Sequence, residues 1–379
     1  MSIARDVVVT GIGLVSCAGE GVVAHLAVLA AGAPARTDTE TFAPYTVHPV
    51  APIALDGQIP KKSDQRQMEP WQRLGVYAAG LALESAGVKG DADLKSRMHL
   101  VVSAGGGERD TAVDGAILTG LREAADPGAY LNEHLQNDLR PTLFLAQLSN
   151  LLAGNIGIVH GVTGASRTFM GEEACGTDAL RIAQARIASG QVECMLVGGS
   201  YSAERPDVMV IHEMGGYLRA HDFRPVFDRT PDSEAGFILG SAAAFLVLET
   251  AEHAAARGAK ALARLDIVAS DRTRRQPGST EASLAALWAS TGLDAPDAVI
   301  SGATGVAPIT AEEGAALARL APGIPVTALG DVTGHSLETT APFGAALAAA
   351  LVSETGLREV AVTVVGHRRG EGVIRVTAP

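Results

Sequence analysis

Along the chain, short runs of β-branched and apolar residues alternate with longer Ala- and Leu-rich stretches whose apolar positions recur at helical spacing. The runs at 6–9, 99–103, 194–197, 243–248, 262–268, 298–301, 325–329, 360–365 and 373–376 predict strands. The clearest helices are predicted over 71–85 and 178–189, each followed by a glycine, Gly87 and Gly190, where a left-handed cap belongs. Buried strands layered with helices read this way, so the class is α/β. Residues 36–63, rich in Pro and Thr, and 271–280, with Arg272, Arg274, Arg275 and Pro277, predict loops. Each half reads as strand, helix, strand, helix, strand, although no repeat of residues proves a duplication. The expected division is 1–250 and 251–379.

Composition narrows the function classes. Apolar residues make up 47% and charged residues 19% of 379, with 43 glycines, which excludes disorder, coiled coil and collagen-like repeats. The net charge of −12 opposes the counterion release on which nucleic-acid binding rests. Cys17, Cys175 and Cys194 are too few for a disulfide framework and lack paired metal spacing, which fits a reducing compartment. Met1-Ser-Ile-Ala-Arg-Asp runs directly into the strand-like Val7-Val8-Val9, and the expectation is that there is no export signal. The longest mainly apolar stretch, 235–248, is shorter than the about 20 residues a bilayer span needs. The expectation is a cytoplasmic protein with neither membrane nor nucleic-acid partner.

Three segments suggest chemistry. Ser103-Ala-Gly-Gly-Gly-Glu-Arg-Asp follows a strand but has neither phosphate-loop nor dinucleotide spacing, and reads as a structural turn. His335, in Thr333-Gly334-His335, follows the strand at 325–329, at the sheet end where α/β proteins place chemistry. Gly171-Glu-Glu-Ala-Cys-Gly-Thr-Asp joins an extended run to a helix through small residues, as a nucleophile elbow does. Free N–H groups at such a helix start would activate a thiolate, so Cys175 is a candidate nucleophile with His335 as its partner; the alternative is a buried, inert cysteine.

At this point the chain resembles the β-ketoacyl synthases of the thiolase superfamily. The resemblance rests on Asp6-Val-Val-Val-Thr-Gly-Ile-Gly and on Met195-Leu-Val-Gly-Gly-Ser. Its most specific part is the ordered series Arg224-Pro-Val-Phe-Asp, Ala235-Gly-Phe-Ile-Leu-Gly, Leu246-Val-Leu-Glu, Glu252-His253 and Arg257-Gly258-Ala259-Lys260. It implies a five-layered αβαβα thiolase-like fold of two similar halves, with a strand near 167–170 pairing across a pseudo-twofold interface.

The departures from the family pattern are informative. The nucleophile position, counted back from Gly190, is Glu173. Cys175 lies two residues on, turned roughly 200° around the helix and away from the cavity. Ala303, in Ser301-Gly302-Ala303-Thr304-Gly305, stands where the first imidazole belongs, and the lysine position reads Gly330. His335 is retained, and the glycine-rich gate reads Gly366-His-Arg-Arg-Gly. No catalytic residue is intact, and the vestigial site is Glu173, Ala303, Gly330 and His335.

Among inactive relatives the chain is most similar to chain-length factors, the ketosynthase β subunits of type II polyketide synthases. That resemblance implies a non-catalytic subunit, paired with an active ketosynthase, that shapes the tunnel for a carrier-bound polyketide, polyene or fatty acyl chain. It implies tunnel residues Arg109, Ala112 and Ala116, no cofactor and no metal. The net charge implies that an acidic acyl carrier protein docks mainly on the partner, unless Arg272, Arg274 and Arg275, or Arg368 and Arg369, form a local basic patch. The rivals are a malonyl-carrier decarboxylase, against which Ala303 counts, and an acyltransferase using Cys175. Glu173 itself is expected to be buried, with its carboxylate bonded to the N–H groups of 174–177.

Overall fold

The computed structural model describes residues 4–34, 36–220, 223–230 and 235–379. The reading of the chain start falls partly on Met1, Ser2 and Ile3, outside the described residues.

Ten strands carry the fold among the described residues. The first five are β1 (Val7–Ser16), β2 (His99–Ser103), β3 (Ser166–Phe169), β4 (Cys194–Tyr201) and β5 (Ala242–Thr250). The second five are β6 (Ala263–Asp271), β7 (Ala298–Ser301), β8 (Val326–Ala328), β9 (Glu359–Val365) and β10 (Glu371–Thr377). Their spatial order is β8-β7-β9-β10-β6-β1-β5-β4-β2-β3. Within each set of five, the third, second and fourth strands run parallel, and the fifth and first add antiparallel. The two halves thus share one topology although their residues show no repeat. They meet where β1 and β6 pair through only Val8 with Arg264 and Val9 with Ala263.

Seven helices complete the layers: α1 (Pro70–Ser85), α2 (Thr111–Leu121), α3 (Leu151–His160), α4 (Glu172–Ala188), α5 (Ser279–Thr291), α6 (Ile309–Leu320) and α7 (Thr340–Thr355). Helices α4 and α7 contact each other and strands of both halves, whereas α1 and α3 pack on the first half and α5 and α6 on the second. The result is αβαβα, the thiolase-like arrangement. A helix covered on two sides needs apolar residues all round, and α7 has a continuous buried run from Thr340 to Ala350. Only small residues permit such close packing: a Cβ on Gly176 of α4 would stand 2.6 Å from the Glu338 carbonyl oxygen.

Several boundaries extend past their sequence signals. Strand β1 continues through Gly11 and Gly13, where any Cβ would overlap the Ala82 and Ala78 carbonyl oxygens of α1. Those glycines therefore mark close approach rather than a turn. Helix α1 starts one residue early, at Pro70, with a reciprocal Glu69–Gln72 capping box. Helix α4 begins at Glu172 instead of 178, which places Glu173 inside its first turn. The expected loop at 36–63 contains a two-residue strand, Val47–His48, paired with Leu239–Gly240. Thr250 is the last residue of β5 and the N-cap of the helix Ala251–Ala256.

Gly13→Ala should lower stability by at least about 1–3 kcal/mol through overpacking against α1, read as a lower urea midpoint with an unchanged slope.

Candidate functional site

The site lies where β3 turns into α4. Gly171 takes φ 131° and Glu172 takes φ 60°, a left-handed setting uncommon for a residue with a side chain. Through this turn Glu173 becomes fully buried at the helix start. His335 comes from the equivalent place in the second half, between β8 and α7. Its backbone is clamped by His335 N donating to the Ile238 carbonyl at 2.8 Å and Gly240 N donating to the His335 carbonyl at 2.9 Å. His367 comes from the turn between β9 and β10, which closes through Gly366 N and the Gly370 carbonyl at 2.8 Å.

These three side chains converge. Glu173 Oε1 accepts from His335 Nε2 at 2.8 Å and from His367 Nδ1 at 2.9 Å, and Oε2 lies 3.2 Å from the same His367 nitrogen. Phe237 stacks on the His335 ring at 4.8 Å and meets His367 edge-on at 5.0 Å, while Tyr217 meets His367 at 4.6 Å. Burial pushes the Glu173 carboxyl pKa up, but the hydrogen bonds and charge interactions of His335 and His367 outweigh it and hold the group below the usual carboxylate range. An ionised carboxylate only accepts, so both ring nitrogens facing it carry hydrogen. The donors are therefore imidazoles from distant segments, correcting the expectation of helix N–H groups.

Cys175 is buried, and burial followed by the charges of Glu338, Glu173, Asp178 and Glu172 raises its pKa well above the usual thiol value. A thiol so placed lacks the thiolate character a nucleophile needs. Ala303 is buried after β7, in a small cluster with Val226 and Ala328. A Cβ on Gly330 would stand 2.7 Å from Val226 Cγ2, so the valine occupies the space beside this glycine. Neither Ala303 nor Gly330 takes part in the hydrogen bonds on Glu173.

Of the expected tunnel residues, Arg109 lines a cavity of about 230 Å³ together with Glu172, while Ala112 and Ala116 lie on the exposed face of α2. Arg109 is held by Asp114, at 2.6 and 2.8 Å. A second cavity, of about 570 Å³, is lined by His367 and Arg368 among others. Ligand-type atoms of Glu172, Glu173 and His367 lie within 4.8 Å of one another, the set through which a cation would be held. Two of the three are already hydrogen-bonded together. Sequence reasoning missed His367 as a site residue; its signal was an imidazole inside the altered glycine gate. It also missed Glu172, which accepts from Arg368 Nη1 at 3.1 Å.

The layered fold is that of ketosynthase structures. Residues 4–254 match the family profile of the β-ketoacyl synthase N-terminal domain, and the chain belongs to that family. It is similar to 3-oxoacyl-[acyl-carrier-protein] synthase 2 of Vibrio cholerae, 28% identical over 69% of this chain and 62% of that one. A similar match is the oxytetracycline polyketide putative beta-ketoacyl synthase 1 of Streptomyces rimosus, 28% identical over 69% of this chain and 61% of that protein. The match thus spans a little over three fifths of these relatives' length. Among solved structures, the ishigamide ketosynthase/chain length factor aligns with TM-score 0.81 at 21% identity, covering 99% of this chain and 100% of that one. A type II polyketide acyl-carrier protein in complex with its ketosynthase, bound to the hexaketide, aligns with TM-score 0.73 at 18% identity over 99% and 100% of the two chains. No helix among the described residues is long and apolar enough to cross a membrane.

The depressed Glu173 pKa has a pH signature. An unfolded glutamate titrates near about 4.3, so the stabilisation is complete above that value and is lost as pH falls below it toward the lower folded value. Between about pH 6 and about pH 3 the urea midpoint of the wild type should fall more steeply than that of Glu173→Gln, which should still fold.

Proposed function

We propose that this protein is a non-catalytic ketosynthase-like subunit, a chain-length factor, that pairs with an active β-ketoacyl synthase and shapes the space for a carrier-bound polyketide, polyene or fatty acyl chain. The observation that carries the reading is the state of Glu173. A carboxylate at the nucleophile position cannot hold an acyl chain as a thioester, and the two imidazoles beside it donate to that carboxylate instead of facing an enolate. Pairing is supported by β3, a sheet edge whose Ser166 and Arg167 are exposed, followed by Met170 at 61% exposure. Ile158, on the neighbouring α3, is 75% exposed. Exposed strand edges and apolar side chains are what a stable interface covers.

In this reading Ala112 and Ala116 face the growing chain across the paired interface, with Arg109 at its inner end, and the halves 1–250 and 251–379 act as one scaffold. The acyl carrier docks mainly on the partner. That agrees with the pairing of several candidate basic residues to acids here: Arg272 with Asp178, Arg275 with Glu371 and Arg368 with Glu172.

A second reading, a malonyl-carrier decarboxylase, is favoured by one observation: His367 restores a second imidazole beside His335. The engagement of both rings by Glu173 weighs against it.

Two outcomes test the proposal. Incubated alone with acyl and malonyl carriers, the protein should gain no covalent acyl mass and release no carbon dioxide. Glu173→Cys alone should not restore condensation, because Ala303 still lacks a donor for the enolate. Co-expressed with the ketosynthase encoded beside it, the protein should co-purify as a heterodimer, and Ala112→Trp or Ala116→Trp should shorten the product while the pair stays assembled. Carbon dioxide release that depends on His367 would establish the decarboxylase reading instead.

A further inference from the structure

Glu173 engages one nitrogen of His367 and leaves the other over. His367 Nδ1 donates toward the two Glu173 oxygens at 2.9 and 3.2 Å. A neutral ring then carries its lone pair on Nε2. That atom has no hydrogen-bond partner, although the residue is only 3% exposed. Glu172 Oε1 stands 3.7 Å from it, beyond hydrogen-bond reach. A lone pair and a carboxylate oxygen, both electron-rich, thus stand together across a short gap. A buried polar atom left unmatched costs about 1–3 kcal/mol, and only a positive centre satisfies both of these at once.

The gap has the span of a metal bridge. Zinc holds imidazole nitrogen and carboxylate oxygen at about 2.0–2.2 Å each, so one ion reaches two such atoms up to about 4.2 Å apart. The observed 3.7 Å lies within that span. A histidine that binds metal through one nitrogen usually donates its other N–H to a carboxylate, which fixes tautomer and ring orientation. Glu173 already holds that place, and Tyr217 and Phe237 pack edge-on against the same ring. Glu172 is aimed by its left-handed backbone and lines the 230 Å³ cavity, where water can complete the coordination of an ion. The cation now on this carboxylate is Arg368, whose Nη1 donates to the same Oε1 at 3.1 Å from a largely exposed side chain. Arg368 competes for Glu172 but leaves His367 Nε2 unmatched.

We propose that Glu172 and His367 form a binding site for a divalent transition-metal cation, Zn²⁺ foremost, with Glu173 as the carboxylate that orients the histidine. The ketosynthase resemblance implies no metal, and the inference stands apart from the subunit reading. Bound there, the ion ties the turn between β9 and β10 to the start of α4.

The test uses the purified full chain, stripped with a chelator and titrated with Zn²⁺ by isothermal calorimetry. One Zn²⁺ should bind per chain, and excess Mg²⁺ should not compete, because imidazole suits zinc and Mg²⁺ prefers oxygen ligands. Glu172→Gln and His367→Gln should each abolish this binding. Glu173→Gln should weaken it about 10- to 100-fold, the scale for loss of an orienting carboxylate. Arg368→Ala should strengthen it, since the competing cation is gone. If His367→Gln does not fold, Glu172→Gln decides together with Arg368→Ala, both at partly exposed side chains. A stripped wild type that takes up no Zn²⁺, displacement by Mg²⁺, weaker binding in Arg368→Ala, or binding that survives Glu172→Gln and so belongs to an adventitious site elsewhere would each overturn the proposal.

Discussion

Two helices lie between the two five-stranded halves of the sheet, and most of the molecule follows from that constraint. Helix α7 has almost no surface to offer water from Thr340 to Ala350, so it carries no ordinary polar stripe, while α4 buries one side from Glu173 to Ile187 and keeps Asp178 and Arg181 toward its rim. Their sequences are correspondingly rich in alanine and glycine, and the backbones approach until a single added carbon would collide. The strands on either side must be buried on both faces, which accounts for the unbroken burial of β1, β4 and β5. The starts of both central helices are thereby delivered to one interior place. Polar groups there are cut off from water and must satisfy one another.

Glu173 shows what that demand means chemically. An ionised carboxylate in a dry interior is among the most costly groups to bury, and it persists only with charge or hydrogen-bond partners. Here the partners are His335, at the one imidazole position that the ketosynthase resemblance finds retained, and His367, from the turn between β9 and β10. On the proposed reading, a carboxylate at position 173, Val226 in the space beside Gly330 and the engagement of both imidazoles are physically consistent with one another.

How far this could be read from the chain depended on the range of the interaction. Strands at 99–103 and 298–301 coincide with those observed, because a short apolar run bounded by polar residues is a local signal. Helix α1 was legible to within one residue, since its glycine stop is local too. The site was legible in part: Glu173 and His335 were located by motif position, but the hydrogen bonds on Glu173 come from residues 162 and 194 positions away. Reasoning from neighbours assigned those bonds to the helix N-terminus. His367 was the hardest to see, because Gly366-His-Arg-Arg-Gly reads as a surface turn. Only packing against Tyr217 and Phe237, from another part of the chain, makes it interior.

The position of β3 carries a mechanical corollary. It is the last strand of the sheet, with one side of its backbone unpaired, and it runs within a few residues into the left-handed turn that sets Glu173. Tension or slippage along that edge has almost no chain length over which to dissipate before it reaches the buried carboxylate. The edge and the interior site therefore behave as one stiff lever, with Gly171 and Glu172 as its fulcrum.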